Sequence, residues 1–264
     1  MWVNGAQPGG RPGRTRLPAG LPRFSAAWFL GSCLLTHSSP SALVGLLART
    51  ARVDAGPASR HDIAQRLAPW VDAFDAVTLH SVHQSLRALD GAPEAGPQAA
   101  PPLRGFEDSL RRLRASLEAG IAAIEPPTPS PALPVLGADA AFAPLRRLYL
   151  HQQRLMEAKI APLRVQLRSA LAGAASPRLR QLATLDAALE QMLHAREQKL
   201  LAGVPAWLQA RFATLRAEGA AGSPDGLAAI GREMRQLLLA ELDLRLQPVR
   251  GLLGALAQHH KEVE

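Results

Sequence analysis

The sequence predicts an all-α fold, and three observations carry that expectation. Apolar residues recur at spacings of three and four along most of the chain, and no segment reads as a strand. Pro and Gly punctuate the text at helix-length intervals. Leu and Ala dominate an apolar fraction of 47% while aromatics supply 4%, a balance that favours helices packed on helices over sheets. The architecture expected is a small N-terminal helical module followed by a C-terminal bundle of long, proline-kinked amphipathic helices. A chain of 264 residues can bury a core of that size as one domain or two.

Residues 1–36 stand apart. Arg11, Arg14, Arg16 and Arg23 precede the apolar run Phe24 to Leu35, the order of a secretory signal, and Leu30-Gly31-Ser32-Cys33 imitates a lipoprotein processing site. The run is too short to span a bilayer as a helix and is interrupted by Ser25, Gly31 and Ser32. The leader before it is rich in Gly and Pro. Two readings stand here: a disordered or misannotated extension, with translation starting near Leu34 or Leu35, or a true export signal. The first puts the protein in the cytoplasm and the second outside it.

The N-terminal module covers residues 37–90. Ser39-Pro40 is a cap followed by a first-turn proline, and Leu43, Leu46 and Leu47 then share a face. Ser59 with Asp62 resembles a capping box ahead of Ile63, Leu67 and Trp70. Leu79, Val82, Leu86 and Leu89 make a third stripe. Residues 91–138 read as Pro-rich linkers flanking one helix, 103–124, whose apolar face is Phe106, Leu110, Leu113, Leu117, Ile121 and Ile124. The Pro131-x-x-Pro134 pair reads as a plain spacer.

Residues 139–264 form the expected bundle. Leu145, Leu148, Tyr149, Met156, Ile160, Leu163, Leu167 and Leu171 keep helical phase straight across Pro162, which predicts one long helix bent at that proline and not two. Ser176-Pro177 opens the next helix, with Leu179, Leu182, Leu185, Leu189, Met192 and Leu193 as its buried seam. Gly203-Val204-Pro205 breaks it, and a shorter helix carries Trp207, Leu208, Phe212 and Leu215. Ser223-Pro224-Asp225 starts the last helix, read as a single element from Leu227 past Pro248 to Leu256. These are bundle or coiled-coil patterns.

Charge and chemistry narrow the function. The net charge of +8 has half its excess in the leader, leaving 26 basic against 22 acidic residues elsewhere. With Lys159, Lys199 and Lys261 as the only lysines, 27 of the 30 basic residues are arginine, as a GC-rich genome would produce. A single cysteine, Cys33, excludes an internal disulfide framework and a cysteine zinc cluster, so a reducing compartment is the default. There is no phosphate loop and no nucleophile elbow. His80 and His83, near Asp72 and Asp75, lack a third close ligand and sit on the flank of a leucine stripe. Glu190, His194 and Glu197 share a face, but the Glu-to-His spacing of four is not the three of a di-iron bundle. No catalytic, metal or cofactor-binding residue is assigned, and an enzyme is not expected.

The remaining candidate is a basic stripe over residues 146–180. Arg146, Arg147, Arg154, Lys159, Arg164 and Arg168 face one acid, Glu157, and Arg178 and Arg180 follow. Such a stripe is a surface for an anionic partner, either nucleic acid or a membrane, or it is a face paired with Asp186, Glu190 and Glu197 of the next helix.

The stretch Phe142-Ala143-Pro144-Leu145-Arg146-Arg147-Leu148-Tyr149, continuing through Gln152-Gln153, Met156-Glu157 and Ile160-Ala161-Pro162-Leu163-Arg164, and Leu185-Asp186 to Pro205 after it, resembles an uncharacterised proteobacterial family built on a domain of unknown function. Ser41 to Arg49 and the Leu67 to Leu79 region resemble the start of the same family, so the likeness runs from about residue 37 to 250. The resemblance implies no activity, cofactor or catalytic residue. It implies a setting near envelope proteins of the OmpA-like and ion-motor-like kinds. The function expected is therefore a helical interaction or assembly protein, accessory to an envelope-associated complex, with a protein partner or a second copy of itself. The alternative is a nucleic-acid or anionic-membrane binder acting through residues 146–180.

Overall fold

The computed structural model describes residues 42–51, 73–90, 103–125, 138–218 and 224–263. Every regular element among them is a helix: α1 (Ala42–Ala51), α2 (Ala73–Asp90), α3 (Leu103–Ala122), α4 (Ala138–Ala172), α5 (Pro177–Leu201), α6 (Gly203–Ala217), α7 (Pro224–Arg245) and α8 (Gln247–Val263). The leader 1–36, the Ser39-Pro40 start, the Ser59 capping box with Ile63, Leu67 and Trp70, and most of the linkers lie outside the described residues.

The axis of the molecule is α4, a single helix of 35 residues that contains both Pro144 and Pro162, as its unbroken apolar phase predicts. Pro162 leaves the Ala158 carbonyl without an amide partner. Both residues are exposed, on the side of α4 away from the core, where a carbonyl without an amide partner costs least. Phe142, Leu145, Tyr149, Met156, Ile160, Leu163, Leu167 and Leu171 are all buried, because α3, α5, α6, α7 and α8 each pack on this helix.

Paired residues fix the directions. Arg164 meets Asp186, Glu157 meets His194, and Gln153 meets the Leu201 carbonyl, so α5 descends as α4 rises. The descent continues through α6, where Phe212 packs on Phe142 with ring centroids 5.6 Å apart and Gln209 donates to Asp139. Together α5 and α6 are one column broken near Pro205. Lys159 with Ser116, and Gln152 beside Gly120, set α3 antiparallel to α4. Arg235 with the Ile124 carbonyl and Arg114 with Asp243 set it antiparallel to α7. It follows that α7 runs parallel to α4.

The structure divides the last predicted helix in two. Arg245 ends α7, Leu246 forms a turn, and Gln247 begins α8. Pro248 is the cause, because it cannot give an amide to the Leu244 carbonyl and its ring crowds that carbonyl. The bonds on either side survive, Leu246 N–H to Leu242 O and Arg250 N–H to Leu246 O at 3.0 Å each. Phase is therefore kept, and Leu242, Leu246, Val249, Leu252 and Leu256 are buried in sequence.

The outer helices are less covered. Leu43 of α1 is fully buried in the same apolar cluster as Leu117, Tyr149 and Ile230, with α1 packed on α7. In contrast α2 packs on α5, where Gln181 donates to the Leu86 carbonyl at 3.1 Å. The buried residues of α5 are Leu179, Ala183, Asp186, Ala188 and Leu201. Of the seam expected there, only Leu179 is fully buried, while Leu182, Leu185, Leu189, Met192 and Leu193 are half-buried. The reason is position: α5 has α4 on one flank and the short α2 on the other, so its leucines are roofed incompletely.

Candidate functional site

Pro205 creates the first local problem. The chain stays helical through Ala202 (φ −61°, ψ −20°), which would direct the amide of residue 205 at the Leu201 carbonyl, but a proline has none to give. Gln153 of α4 supplies the missing donor, its Nε2 lying 3.1 Å from the Leu201 oxygen. The same amide nitrogen donates to both carboxylate oxygens of Glu241 at 3.0 Å, so its orientation is fixed by acceptors on both sides.

Glu241 has no exposed surface. Its Oε2 accepts from the Tyr149 hydroxyl at 3.0 Å, and its Oε1 accepts from Arg245 Nε, one turn on along α7, at 2.9 Å. The Gln153 hydrogen not spent on the Leu201 carbonyl is shared between the two oxygens, so each oxygen has two donor contacts, made by three hydrogens in all. The Arg245 guanidinium neutralises the charge, and a buried carboxylate needs such a partner. Burial first, then the Glu241 charge, push the Tyr149 hydroxyl well above its ordinary pKa, so it remains a donor. The cluster ties α4, the end of α5 and the end of α7 at the level where both broken columns bend. Its acceptor capacity is spent on internal bonds, which makes it an anchor and not a poised base.

The basic stripe separates into two parts. Arg164 grips Asp186 through Nε at 3.0 Å and NH2 at 2.7 Å, and reaches Glu190 at 3.2 Å. Arg168 bonds Asp186 at 3.2 Å and Glu190 at 2.6 Å. These four side chains form a neutral, mostly covered network between α4 and α5, which is the inter-helix pairing of the two sequence readings. Lys159 is exposed and donates to Ser116 Oγ at 3.0 Å. Arg146, Arg147 and Arg154 are exposed on the N-terminal half of α4, as is Arg178 at the start of α5. Arg180 turns back to donate to the Ala174 and Ala175 carbonyls, where cations complement a helix C-terminus. Leu148, placed by sequence in the buried seam, is 41% exposed beside the free arginines.

The other candidates disperse. His80 bonds Gln84 at 3.1 Å and His83 is exposed, while Asp75 pairs with Arg196 at 3.0 Å. His194 meets Glu157 at 3.5 Å. No group of three or more metal-ligating side chains gathers among the described residues. Sequence reasoning missed the Glu241 anchor. Its signal was an acid in phase with Leu237, Leu238 and Leu242, one turn before Arg245.

No curated protein and no solved structure matches the chain. A family model described as a protein of unknown function (DUF3348) matches residues 34–258, and the chain belongs to that family.

Proposed function

We propose that the protein is a non-enzymatic helical interaction or assembly protein. The observation that carries this reading is the outer α2–α5 layer. Leu79, Val82, Leu86 and Leu89 of α2 and Leu182, Leu185, Leu189, Met192 and Leu193 of α5 remain half-buried among the described residues, and Val77 is 70% exposed. Leucines at three and four spacing on a pair of packed helices make a surface for a further helix in coiled-coil fashion. The strongly polar groups at hand, Glu241, Arg245, Asp186, Glu190, Arg164 and Arg168, are meanwhile engaged in holding helices together. The partner is another protein or a second copy of this chain. The cytoplasm as its compartment rests on the single cysteine. An envelope-associated complex as its setting rests on the family resemblance alone.

A second reading has its own observation. Arg146, Arg147 and Arg154 stay exposed, which suits a phosphate backbone or an anionic membrane surface. No helix among the described residues is long and apolar enough to cross a membrane, so membrane contact in this reading is peripheral.

A pull-down of the tagged protein, with and without nuclease, combined with sedimentation of the purified chain, tests both. Discrete protein partners that survive nuclease, or a concentration-dependent dimer, support the interaction reading. A monomer whose captured material disappears with nuclease favours the second.

A further inference from the structure

The arginines of α4 meet two different environments along one helix face. Arg164 and Arg168, four residues apart, lie against Asp186 and Glu190, also four apart, on the antiparallel α5. Arg154 lies level with the last turn of α5, between the Glu157–His194 and Gln153–Leu201 contacts, and Arg146 and Arg147 lie beyond it, where the companion column has passed from α5 to α6. The sequence of α6, GVPAWLQARFATLRA, contains no acid and adds Arg211 and Arg216. The switch of helix at Pro205 thus leaves no carboxylate on the companion column where Arg146 and Arg147 remain. Arg147, His151 and Arg154 follow at spacings of four and three, all exposed, and Leu148 stands exposed beside them.

We infer that this face, Arg147, Leu148, His151 and Arg154, docks an acidic amphipathic helix of a partner protein. The inference rests on the interaction reading and names the partner's chemistry. The molecule contains its own template for the contact, since Asp186 and Glu190 show how carboxylates one turn apart on an antiparallel helix satisfy arginines one turn apart on α4. A partner helix with carboxylates seven residues apart would meet Arg147 and Arg154 in the same way, and an apolar residue between them would cover Leu148.

The test is photo-crosslinking in the native cell, with a benzophenone amino acid at His151 and, as separate controls, at Val77 and Gln191 on the outer layer. The inference expects a discrete adduct at His151 that survives nuclease. Its sequenced peptide should carry Asp or Glu at helical spacing, and its yield should fall about tenfold in R147E/R154E and in the milder R147Q/R154Q. Circular dichroism establishes that both variants retain the helical fold. Charge reversal of the two partner carboxylates should restore the R147E/R154E adduct. Adducts only at Val77 or Gln191 would overturn this inference and leave the interaction reading standing. Adducts at none of the three positions would overturn both. A His151 adduct that nuclease destroys, that is lipid, or that persists unchanged in both variants would also overturn it.

Discussion

The hydroxyl of Tyr149 donates to Glu241 across 3.0 Å, joining residues 92 positions apart at the centre of the bundle. The bond belongs to a carboxylate with four donor contacts, so its removal should be felt without collapse. Y149F is expected to cost about 1–2 kcal/mol, and E241Q about 3 kcal/mol because Arg245 is then left buried without its counter-charge. Urea denaturation of the two single variants and the double variant gives the coupling. Equal losses, or fully additive ones, would contradict the anchor.

The same hydroxyl should make stability fall at high pH. Its folded-state pKa is raised, chiefly by burial and then by Glu241, so between the unfolded value of about 10 and the folded value the native state holds the extra proton. Stability is complete below the unfolded value and is lost as the pH rises through the folded one. Tyr149 is the chain's single tyrosine, so its ultraviolet tyrosinate band reports this site alone. The band should appear late and together with unfolding, and Y149F should lose less stability on the same alkaline side. An ordinary titration in the folded protein would refute the burial argument.

Gln153 and Pro205 should be coupled although they do not touch through their own hydrogen bond. Q153L removes the donor to the Leu201 carbonyl and one of the donors to Glu241, an expected loss of about 2–3 kcal/mol. P205A restores a backbone amide that can reach Leu201, so Q153L should cost about 1 kcal/mol less in the P205A background. Hydrogen exchange of the new amide at position 205 checks the geometry directly. It should be protected in the double variant and less so in P205A, where Gln153 still occupies the carbonyl.

The bundle itself was legible in the sequence. Helical phase carried through Pro162 because Ala158 and Pro162 lie on the exposed side of α4 and the defect there costs little. The same reasoning failed at Pro248, where phase also persists but the helix is interrupted: periodicity reports which face is buried, not whether each carbonyl finds an amide. The seam of α5 was over-read for a related reason. A leucine stripe shows which side seeks cover, and the amount of cover depends on how many helices arrive, a property of tertiary packing. Glu241 was passed over because an acid in an apolar phase looks like a lapse in the pattern until Tyr149 and Gln153 arrive from a distant helix. The family resemblance is shown by the match over residues 34–258.

Asp186 should matter more than any exposed acid. It takes both arginines of the α4–α5 network and its side chain is 10% exposed. D186A leaves Arg164 and Arg168 with Glu190 alone, an expected loss of about 2–3 kcal/mol that added salt barely changes. By contrast D108A, which breaks the exposed pair with Arg111, should alter stability by less than about 0.5 kcal/mol. Thermal melts of the two variants at low and high salt decide the point, and equal effects would show that the network is ornamental.

Gly251 and Gly254 offer a gain in stability. Both are exposed inside α8, and a Cβ added at either would meet nothing within 4 Å. Glycine in a helix interior is less favourable than alanine by about 0.5–1 kcal/mol, because it loses more backbone freedom on folding. The buried side of α8, Val249, Leu252, Leu253 and Leu256, is untouched by either change. G251A/G254A should therefore raise the urea midpoint with an unchanged denaturant slope, by about 1–2 kcal/mol in sum. A loss of stability instead would mean that something packs against this face closely enough to require the missing side chains.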